Sequence, residues 1–342
     1  MLSRTRLERF AHSCSGRNAL RTALAIGLLI AGVCTTGVLA SRRAASSPRH
    51  TLSVGPGTRL LVIAPHPDDE LLAAGGVLQR VLASKGELRV VYLTDGEGFP
   101  QAVKAEVGRA SPTPSDYRDY GRERKGEAED ALRALGAHKD SLTFLGFPNG
   151  GLHRLMTAYW SDRRPPYMSP YSRRDRPSKS EVIAPDTKFH GEDLTEELAG
   201  IIGTFKPTMI LTPRQEDQHV DHCAAWFFVA DALGGVARVD RSYRTDLLTY
   251  IVHYGSWPFD DVTERLPPPP GLSSGASGWL FFALTDREFT RKRVALAEYK
   301  TQMKIMDFFL EGFVRRNEVF SRPSPPRVVL PMRRRPCDQY QE

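Results

Sequence analysis

The chain has 342 residues, of which 41% are hydrophobic and 25% are charged, and this composition is typical of a globular protein. Its formal net charge of +7 comes entirely from residues 1–50, where eight arginines face a single glutamate, whereas the basic and acidic residues of 51–342 are equal in number. Residues 51–342, which we call the body, therefore lack the excess of basic residues that is typical of nucleic-acid-binding proteins. We predict no nucleic-acid partner.

The N-terminus combines a basic segment, residues 1–21, with an uncharged apolar run, residues 22–40. As a helix this run would be about 28 Å long, close to the thickness of a bilayer core, and the arginines before it favour an N-terminus on the inside. Ala40 also ends a small-residue pattern at which a signal peptide could be cleaved. A single-pass membrane anchor and a cleaved signal peptide therefore remain alternatives, and both predict an extracytoplasmic body.

Residues 41–57 are small, polar and interrupted by prolines, and we interpret them as a linker. From residue 58 to residue 320, apolar strand patterns alternate with helical patterns, which predicts a single Rossmann-like α/β domain with a mostly parallel sheet and helices on both faces. The predicted strands are residues 60–64, 89–94, 141–145, 208–212 and 247–253. The predicted helices are residues 70–84, 120–135, 194–205, 219–233 and a long helical region over 286–320.

Three segments fall outside this alternation. Residues 159–186 are rich in arginine and aromatic residues and form either a solvated loop or a lid, and residues 266–276 form a proline-rich loop. The tail, residues 321–342, is rich in proline and arginine and is predicted to be extended. Cys223 and Cys337 are the two cysteines of the body, where one disulfide is permitted but not required by the spacing, and we expect Cys223 to pack as a small apolar residue.

Polar clusters follow two of the predicted strands. APHPDDE occupies residues 64–70 after the first strand, and DQHVDH occupies residues 217–222 after the fourth. Ligands of open parallel sheets bind beyond the carboxyl ends of the strands, so the clusters would face each other if these strands are neighbours. An aspartate of the first cluster alone could simply cap a helix, but together the clusters contain the imidazole and carboxylate ligands of a catalytic zinc site. Such a site, which would also accept Fe²⁺ or another divalent ion, predicts a metal-assisted hydrolase of an amide or ester.

These clusters resemble the AHPDDE…HPDH pattern of the LmbE/PIG-L-like zinc deacetylases, which remove acetyl groups from N-acetylglucosamine-type sugars. Pro65 and Val220 are the local departures from that pattern. Other motifs of the family have counterparts at Thr94–Glu97 (TxGE), Arg124–Glu127 (R-x-x-E), Phe147–Gly150 (PDG, with Asn149 in place of aspartate) and Tyr299–Gln302 (Y-x-x-Q). The resemblance covers residues 58–320 and implies the fold of that family.

The resemblance implies a metal ion held by His66, Asp69 and His222. It further implies three catalytic side chains: Asp68 as the general base, a protonated His219 that stabilises the oxyanion and assists departure of the amine, and Asp221 as a carboxylate that orients a histidine. Asp217 is either a loop cap or a further carboxylate that supports the site.

The resemblance also implies substrate contacts by Glu97, Arg124 and Asn149. Glu97 could instead belong to an ordinary turn, and Arg124 could pair with Glu127. If residues 159–186 form a lid, its arginines would contact an anionic group of the substrate and its aromatic residues would stack on sugar rings.

The chain is thus expected to be a zinc-dependent N-deacetylase whose substrate is a free, lipid-linked or polymeric N-acetylated sugar. The alternatives are an amidase that cleaves another sugar-linked amide at the same metal site, and a non-catalytic carbohydrate-binding surface protein. The implied partners are an N-acetylated sugar, glycolipid or glycan and, if the apolar run is not cleaved, the membrane. The sequence does not report the oligomeric state.

Overall fold

The structure is a computed structural model that describes residues 50–259, 263–275, 278–323, 328, 330–333 and 336–340. The predicted basic segment (1–21) and apolar run (22–40) lie outside the described residues, as does the predicted linker up to residue 49. The membrane-anchor and signal-peptide interpretations therefore stay predictions.

Eight strands form a single sheet within the described residues. They are β1 (His50–Thr51), β2 (Arg59–Ala64), β3 (Glu87–Thr94), β4 (Leu142–Phe147), β5 (Met209–Pro213), β6 (Asp246–Tyr250), β7 (Trp279–Ala283) and β8 (Asn317–Ser321). Their order across the sheet is β1-β7-β8-β6-β5-β2-β3-β4. All neighbours are parallel except β8, which runs antiparallel to β6 and β7. The mostly parallel sheet predicted from the sequence is confirmed.

Helices cover both faces of the sheet. They are α1 (Asp69–Ala83), α2 (Pro100–Val107), α3 (Pro114–Leu135), α4 (Leu152–Leu155), α5 (Gly191–Phe205), α6 (Val220–Val239), α7 (Asp286–Leu296) and α8 (Lys300–Glu311), with a turn of 3₁₀ helix at Lys139–Ser141. Successive residues of β2 alternate between two cores: Leu60 and Val62 pack with α1 and α3, and Leu61 and Ile63 pack with α5 and α6. Burial on both faces explains why this strand is a continuous apolar run in the sequence.

β2 is an inner strand of the sheet, between β3 and β5. The chain passes from β2 to β3 on one side and later adds β5 on the other side, where Leu60 lies opposite Met209 in parallel register. In open α/β sheets, a point where the strand order reverses leaves a crevice at the carboxyl ends of the strands. The two polar clusters follow Ala64 and Pro213, so both lie at this crevice, as the sequence pattern requires.

The C-terminal part of the domain differs from the prediction. The helical region predicted over 286–320 is instead two helices, α7 and α8, followed by strand β8, and the prediction also missed β7 and α2. β8 begins with Asn317 and Glu318, which are buried although they are polar. Hydrophobic periodicity is the main signal for a strand, so buried polar residues conceal it.

A buried ion pair explains why a glutamate is tolerated in β8. The helix α1 is interrupted at Ala74, which has non-helical dihedral angles (φ −140°, ψ 15°). The carboxylate of Glu318 accepts hydrogen bonds from the backbone N–H groups of Gly76 and Val77, at 2.7 and 3.0 Å. Nζ of Lys292 lies 2.8 Å from the same carboxylate and balances its charge. These contacts connect β8 and α7 to the helix that begins at the first polar cluster.

The tail, residues 321–342, packs on the body at its described positions and is not simply extended. Cys337 is fully buried and forms a disulfide with Cys223 in the first turn of α6. The backbone N–H of Met332 donates a hydrogen bond to the carbonyl of Met156, next to α4, at 3.0 Å. Cys223 is buried in an apolar cluster, as expected, and its sulfur is in addition bonded to the tail.

Candidate active site and metal centre

Three side chains from the two clusters converge in the crevice. Nδ1 of His66 lies 3.3 Å from Oδ2 of Asp69, this oxygen lies 3.1 Å from Nε2 of His222, and the two imidazole nitrogens are 3.2 Å apart. Ligand atoms about 2.0–2.1 Å from a tetrahedral zinc ion are about 3.3–3.4 Å from one another. The three atoms thus have the spacing of one face of such a tetrahedron. They fit a zinc ion, or another divalent cation that accepts nitrogen and oxygen ligands.

Each histidine of this triad has a carboxylate at its other ring nitrogen. Oδ2 of Asp221 lies 3.3 Å from Nε2 of His66, and Oδ2 of Asp217 lies 3.2 Å from Nδ1 of His222. Carboxylates in this position orient the ring and keep its proton on the nitrogen that faces away from the metal site. The sequence motifs predicted this geometry for Asp221 and left Asp217 open. Asp221 hydrogen-bonds to His66, and Asp217 lies at ion-pair distance from His222.

Backbone N–H groups fix these two carboxylates in turn. Asp221 accepts hydrogen bonds from Gly150 at 2.6 Å and Leu152 at 3.0 Å, both just after β4. Asp217 accepts a hydrogen bond from Val252 at 2.7 Å, just after β6. Burial alone would raise the pKa of both carboxyl groups, but the neighbouring histidines and the N–H groups hold each pKa below its ordinary value. Both side chains are therefore ionised acceptors.

The ionisable groups of the triad have opposite pKa shifts. Burial opposes a charge on Asp69, yet the two imidazoles outweigh it and hold the pKa of the carboxyl well below its ordinary value. Burial also disfavours a charged His222, yet Asp217 and Asp69 raise the pKa of its imidazole well above the ordinary value. A proton and a metal ion therefore compete for Nε2 of His222, as at any imidazole ligand.

Asp68 lies beside the triad, with its carboxylate held by Arg124. Nη2 of Arg124 donates to Oδ2 of Asp68 at 3.0 Å, and the guanidinium also donates to the carbonyls of Pro67 and Gly96. Arg124 is not paired with Glu127, whose carboxylate instead accepts hydrogen bonds from the start of α8. Burial raises the pKa of Asp68 to about 7, and Arg124 opposes the rise. This carboxyl can therefore gain and lose a proton near neutral pH.

The backbone of Asp68 is strained. The residue has φ 130° and ψ −32°, a region that residues with a β-carbon rarely adopt, at a cost of about 1–3 kcal/mol. Its side chain makes no hydrogen bond to the first turn of α1, so the interpretation of this residue as a simple helix cap is wrong. The side chain lines the cavity that contains the triad.

His219 is the N-cap residue of α6 and lines the same cavity. Its Nδ1 accepts a hydrogen bond from the backbone N–H of Asp221 at 3.2 Å, so the ring proton lies on Nε2. Burial lowers the pKa of His219 well below its ordinary value, and the positive charge of His66 and His222 lowers it further. A neutral imidazole with an Nε2–H donor is therefore favoured at this position, and the protonated His219 of the working site stays a prediction.

The cavity has a volume of about 450 Å³. The triad and Asp68 lie at its polar part, and apolar or aromatic side chains form much of the remaining wall: Leu72, Phe99, Tyr171, Met306 and Phe309. A cavity of this size, with a few convergent polar groups in a largely apolar lining, is typical of a small-molecule site.

His253 is a cavity residue that the sequence analysis missed. It follows the end of β6 and stacks on Phe309, with ring centroids 5.2 Å apart. Its ring lies 4.9 Å from that of His222, and burial lowers its pKa to about 4. Two further sets of three residues have their ligand atoms within 4.8 Å of one another, close enough to hold one metal ion. One set is Asp69, His222 and His253, and the other is His66, His219 and His222. The available signal was the position of His253 at the carboxyl end of a predicted strand, but no second histidine or carboxylate accompanied it there.

The three predicted substrate contacts are not equivalent in the structure. Arg124 and Asn149 line the cavity of the triad, and Glu97 does not. Nδ2 of Asn149 lies 3.1 Å from Nε2 of His66 and donates to Oδ2 of Asp221 at 3.2 Å. Glu97 accepts a hydrogen bond from the backbone N–H of Asn149 at 3.4 Å, and burial raises its pKa to about 8. Glu97 is therefore placed to support Asn149 and not to contact a ligand beside the triad.

The 159–186 segment reaches this cavity through Tyr171. Arg174 donates to a serine hydroxyl of the same segment, and Arg176 pairs with the aspartate that precedes it. Every residue of the segment is described, and none of its arginines lines the cavity of the triad. The structure therefore does not place a lid of arginines over the triad.

Comparison with known proteins gives one family and several relatives. The family model described as "PIG-L: GlcNAc-PI de-N-acetylase" matches residues 61–233, about half of the chain. The chain is 28% identical over 202 residues to the 1D-myo-inositol 2-acetamido-2-deoxy-alpha-D-glucopyranoside deacetylase of Mycobacteroides abscessus, a match that covers 58% of this chain and 57% of that enzyme. It is 27% identical over 194 residues to the enzyme of the same name from Kribbella flavida, covering 56% of this chain and 58% of that enzyme. The match thus spans just over half the length of these curated relatives.

Two solved structures align with most of this chain. The conserved protein TT1542 from Thermus thermophilus has a TM-score of 0.49 and 23% sequence identity, over 80% of this chain and 97% of that one. The A40926 pseudoaglycone deacetylase Dbv21 has a TM-score of 0.49 and 22% sequence identity, over 78% of this chain and 96% of that one.

We expect the triad to bind one divalent metal ion per chain. His222→Ala removes one of three ligands, so we expect the metal content of the purified protein to fall from about one ion per chain to near zero. Asp217→Asn keeps all three ligands but weakens the orientation of His222, so we expect zinc affinity to fall about 10–100-fold. Inductively coupled plasma mass spectrometry measures the content, and competition with a chromophoric chelator measures the affinity.

The matched control for zinc binding is His138→Ala, because His138 is exposed and does not line the cavity. This variant should bind zinc as the wild type does. Full zinc content in His222→Ala would contradict the ligand assignment.

Proposed function

Because the chain belongs to the PIG-L family of GlcNAc-PI de-N-acetylases, we propose that it is a zinc-dependent hydrolase that removes the acetyl group from an N-acetylglucosamine-type sugar. The observation that carries the proposal is the convergence of His66, Asp69 and His222, with 3.1–3.3 Å between their ligand atoms, beside the carboxylate of Asp68. The curated relatives are named as deacetylases of an acetamido sugar, which supports this class of substrate.

His66, Asp69 and His222 would hold the zinc ion. The chemistry that a bound zinc ion supplies is polarisation of the acetyl carbonyl and a lowered pKa for water. The ionised Asp69 and the neutral imidazole nitrogens are the forms that such an ion requires. The proton transfers depend on the protein's own side chains.

Asp68 is the general base in this proposal. Its carboxylate takes a proton from the attacking water as the water oxygen bonds to the acetyl carbon. Arg124 holds Oδ2 at 3.0 Å, which limits the directions in which the carboxylate can turn. A pKa of about 7 allows Asp68 to return this proton to the amine nitrogen as the C–N bond breaks. The products are acetate and the free amino sugar.

His219 stabilises the negative charge that develops on the acetyl oxygen. Its Nδ1 is occupied by the backbone N–H of Asp221, so Nε2–H is the donor available to the cavity. A pre-oriented donor of this kind stabilises an oxyanion without rearrangement during the reaction. Because the neutral ring already carries this proton, His219 does not need to be charged in the resting site.

The sugar would contact the part of the cavity beside the triad. We infer that Asn149 faces it, because this side chain lines the cavity and is fixed by Gly98, whose backbone N–H donates to Oδ1 at 2.8 Å. The ring of Tyr171 offers an apolar surface for the sugar from the 159–186 segment. Free, lipid-linked and polymeric sugars all present the same acetamido group to these residues.

We also propose that the body works outside the cytoplasm. The disulfide between Cys223 and Cys337 supports this location, because disulfides persist in oxidising compartments. The apolar run over residues 22–40 independently favours export.

Asp68→Asn should abolish most of the activity and leave zinc bound. The substitution keeps the three metal ligands but removes the group that accepts the proton, so kcat should fall by a factor of about 10²–10⁴. Acetate release from N-acetylglucosaminyl substrates measures kcat, and metal analysis of the same sample measures zinc.

The surface variant Asp175→Asn is the control for a general effect of losing an aspartate, because Asp175 pairs with Arg176 away from the cavity. It should retain wild-type turnover. If Asp68→Asn were as active as the wild type, the proposed mechanism would be wrong.

The proposed location predicts that the exported protein contains the Cys223–Cys337 linkage. Mass spectrometry of the unreduced protein, taken from the secreted or membrane fraction, should identify the cross-linked peptide. Recovery of the protein from the cytoplasm with both thiols free would count against export.

A further inference from the structure

We propose that Glu70 and Tyr299 are positioning residues that hold Asp68 in its strained conformation at the cavity. The inference rests on the proposed role of Asp68 as the base. Glu70 and Tyr299 are both fully buried, and neither lines the cavity, so neither would touch the substrate directly.

Glu70 holds the backbone on one side of the strained torsion. Its Oε2 accepts a hydrogen bond from the backbone N–H of Asp68 at 3.2 Å. On the other side, the carbonyl of Asp68 accepts hydrogen bonds from the N–H groups of Leu71 and Leu72, both at 3.0 Å. The peptide groups that flank the φ of 130° are therefore both fixed. Two side chains hold the peptide group before Asp68: Glu70 accepts from its N–H, and Arg124 donates to its carbonyl, that of Pro67, at 2.6 Å. Of these two side chains, Glu70 is the one that does not line the cavity.

Tyr299 fixes Glu70 and connects it to the cavity wall. The hydroxyl of Tyr299 donates a hydrogen bond to Oε1 of Glu70, so each carboxylate oxygen of Glu70 has its own donor. Tyr299 directly precedes α8, whose Gln302 lines the cavity and donates to the hydroxyl of Tyr120 in α3 at 2.6 Å. Hydrogen bonds therefore connect Asp68 through Glu70 to Tyr299, at the start of the helix that forms one wall of the cavity.

Capping of α1 is the simpler explanation of the contact between Glu70 and Asp68. An acidic side chain in the first turn commonly accepts a hydrogen bond from the N–H of the N-cap residue. An ordinary N-cap residue has dihedral angles of the β region, however, and Asp68 has φ 130°. Capping alone predicts that removal of Glu70 lowers stability only, whereas positioning predicts a specific loss of kcat.

The test compares Glu70→Ala, Glu70→Gln and Tyr299→Phe in the full-length, zinc-loaded protein. Glu70→Ala releases the backbone of Asp68, so kcat should fall about 10–100-fold, with KM changed less than about twofold and zinc content unchanged. Glu70→Gln still offers an acceptor to Asp68 and a donor to Tyr299, so it should retain at least about a third of wild-type kcat.

Tyr299→Phe removes a single hydroxyl and should lower kcat about tenfold. Combining Tyr299→Phe with Glu70→Ala should cause no loss of kcat beyond that of Glu70→Ala alone.

Crystal structures of Glu70→Ala and Tyr299→Phe, with or without zinc, give a readout that is independent of activity. The φ of residue 68 should leave the strained region in both variants. Tyr243→Phe is the control, because Tyr243 donates its hydroxyl to the carbonyl of Pro207 at 2.8 Å and does not line the cavity. This control should change neither kcat nor the conformation of Asp68.

Wild-type kcat in Glu70→Ala, with the φ of residue 68 unchanged, would overturn the proposal. A loss of kcat that parallels a loss of zinc would also overturn it, because the effect would then act through Asp69. If Glu70→Ala does not fold, Tyr299→Phe decides the question. If the wild type releases no acetate, the proposed function fails, and the crystal structures still decide whether Glu70 and Tyr299 hold Asp68.

Discussion

The candidate metal site depends on two imidazole nitrogens, of His66 and His222, and one carboxylate oxygen, of Asp69, that lie 3.1–3.3 Å apart in a buried crevice. Polar groups removed from water are costly unless each has a partner. The far nitrogens of the two histidines have Asp217 and Asp221 as partners, and these carboxylates are bound by backbone N–H groups that follow β6 and β4. The triad itself follows β2 and β5. The candidate metal site therefore forms only when the carboxyl ends of four strands, β2, β4, β5 and β6, lie together.

Two adjacent aspartates acquire different properties from this arrangement. Asp69 faces the imidazoles, which hold its pKa well below the ordinary value, and Asp68 faces Arg124 in a buried position that raises its pKa to about 7. Environments that separate the pKa values of neighbouring groups are how active sites assign different roles to the same residue type. The φ of 130° at Asp68 is the backbone feature that accompanies this separation. A metal ligand and a base can therefore be consecutive residues.

The sequence predicted those parts of the site that are contiguous. The clusters at 64–70 and 217–222 each follow an apolar strand, so their meeting at one edge of the sheet could be inferred. His253 and the buried Glu318 could not be inferred, because their significance comes from contacts with elements distant in the sequence. The bond between Cys223 and the tail has the same origin: spacing along the chain does not reveal which cysteine is near in space.

We propose that a metal ion at this triad makes the chain a sugar N-deacetylase. The most direct measurement is the release of acetate and free amine from a panel of N-acetylated sugars, glycolipids and glycans, by protein stripped with a chelator and then reloaded with one equivalent of zinc. We predict equimolar acetate and amine from at least one N-acetylglucosaminyl substrate, lost on stripping and restored on reloading. Equal release by the stripped and reloaded protein, or none from folded, zinc-loaded protein across the panel, would contradict a metal-dependent N-deacetylase at this site.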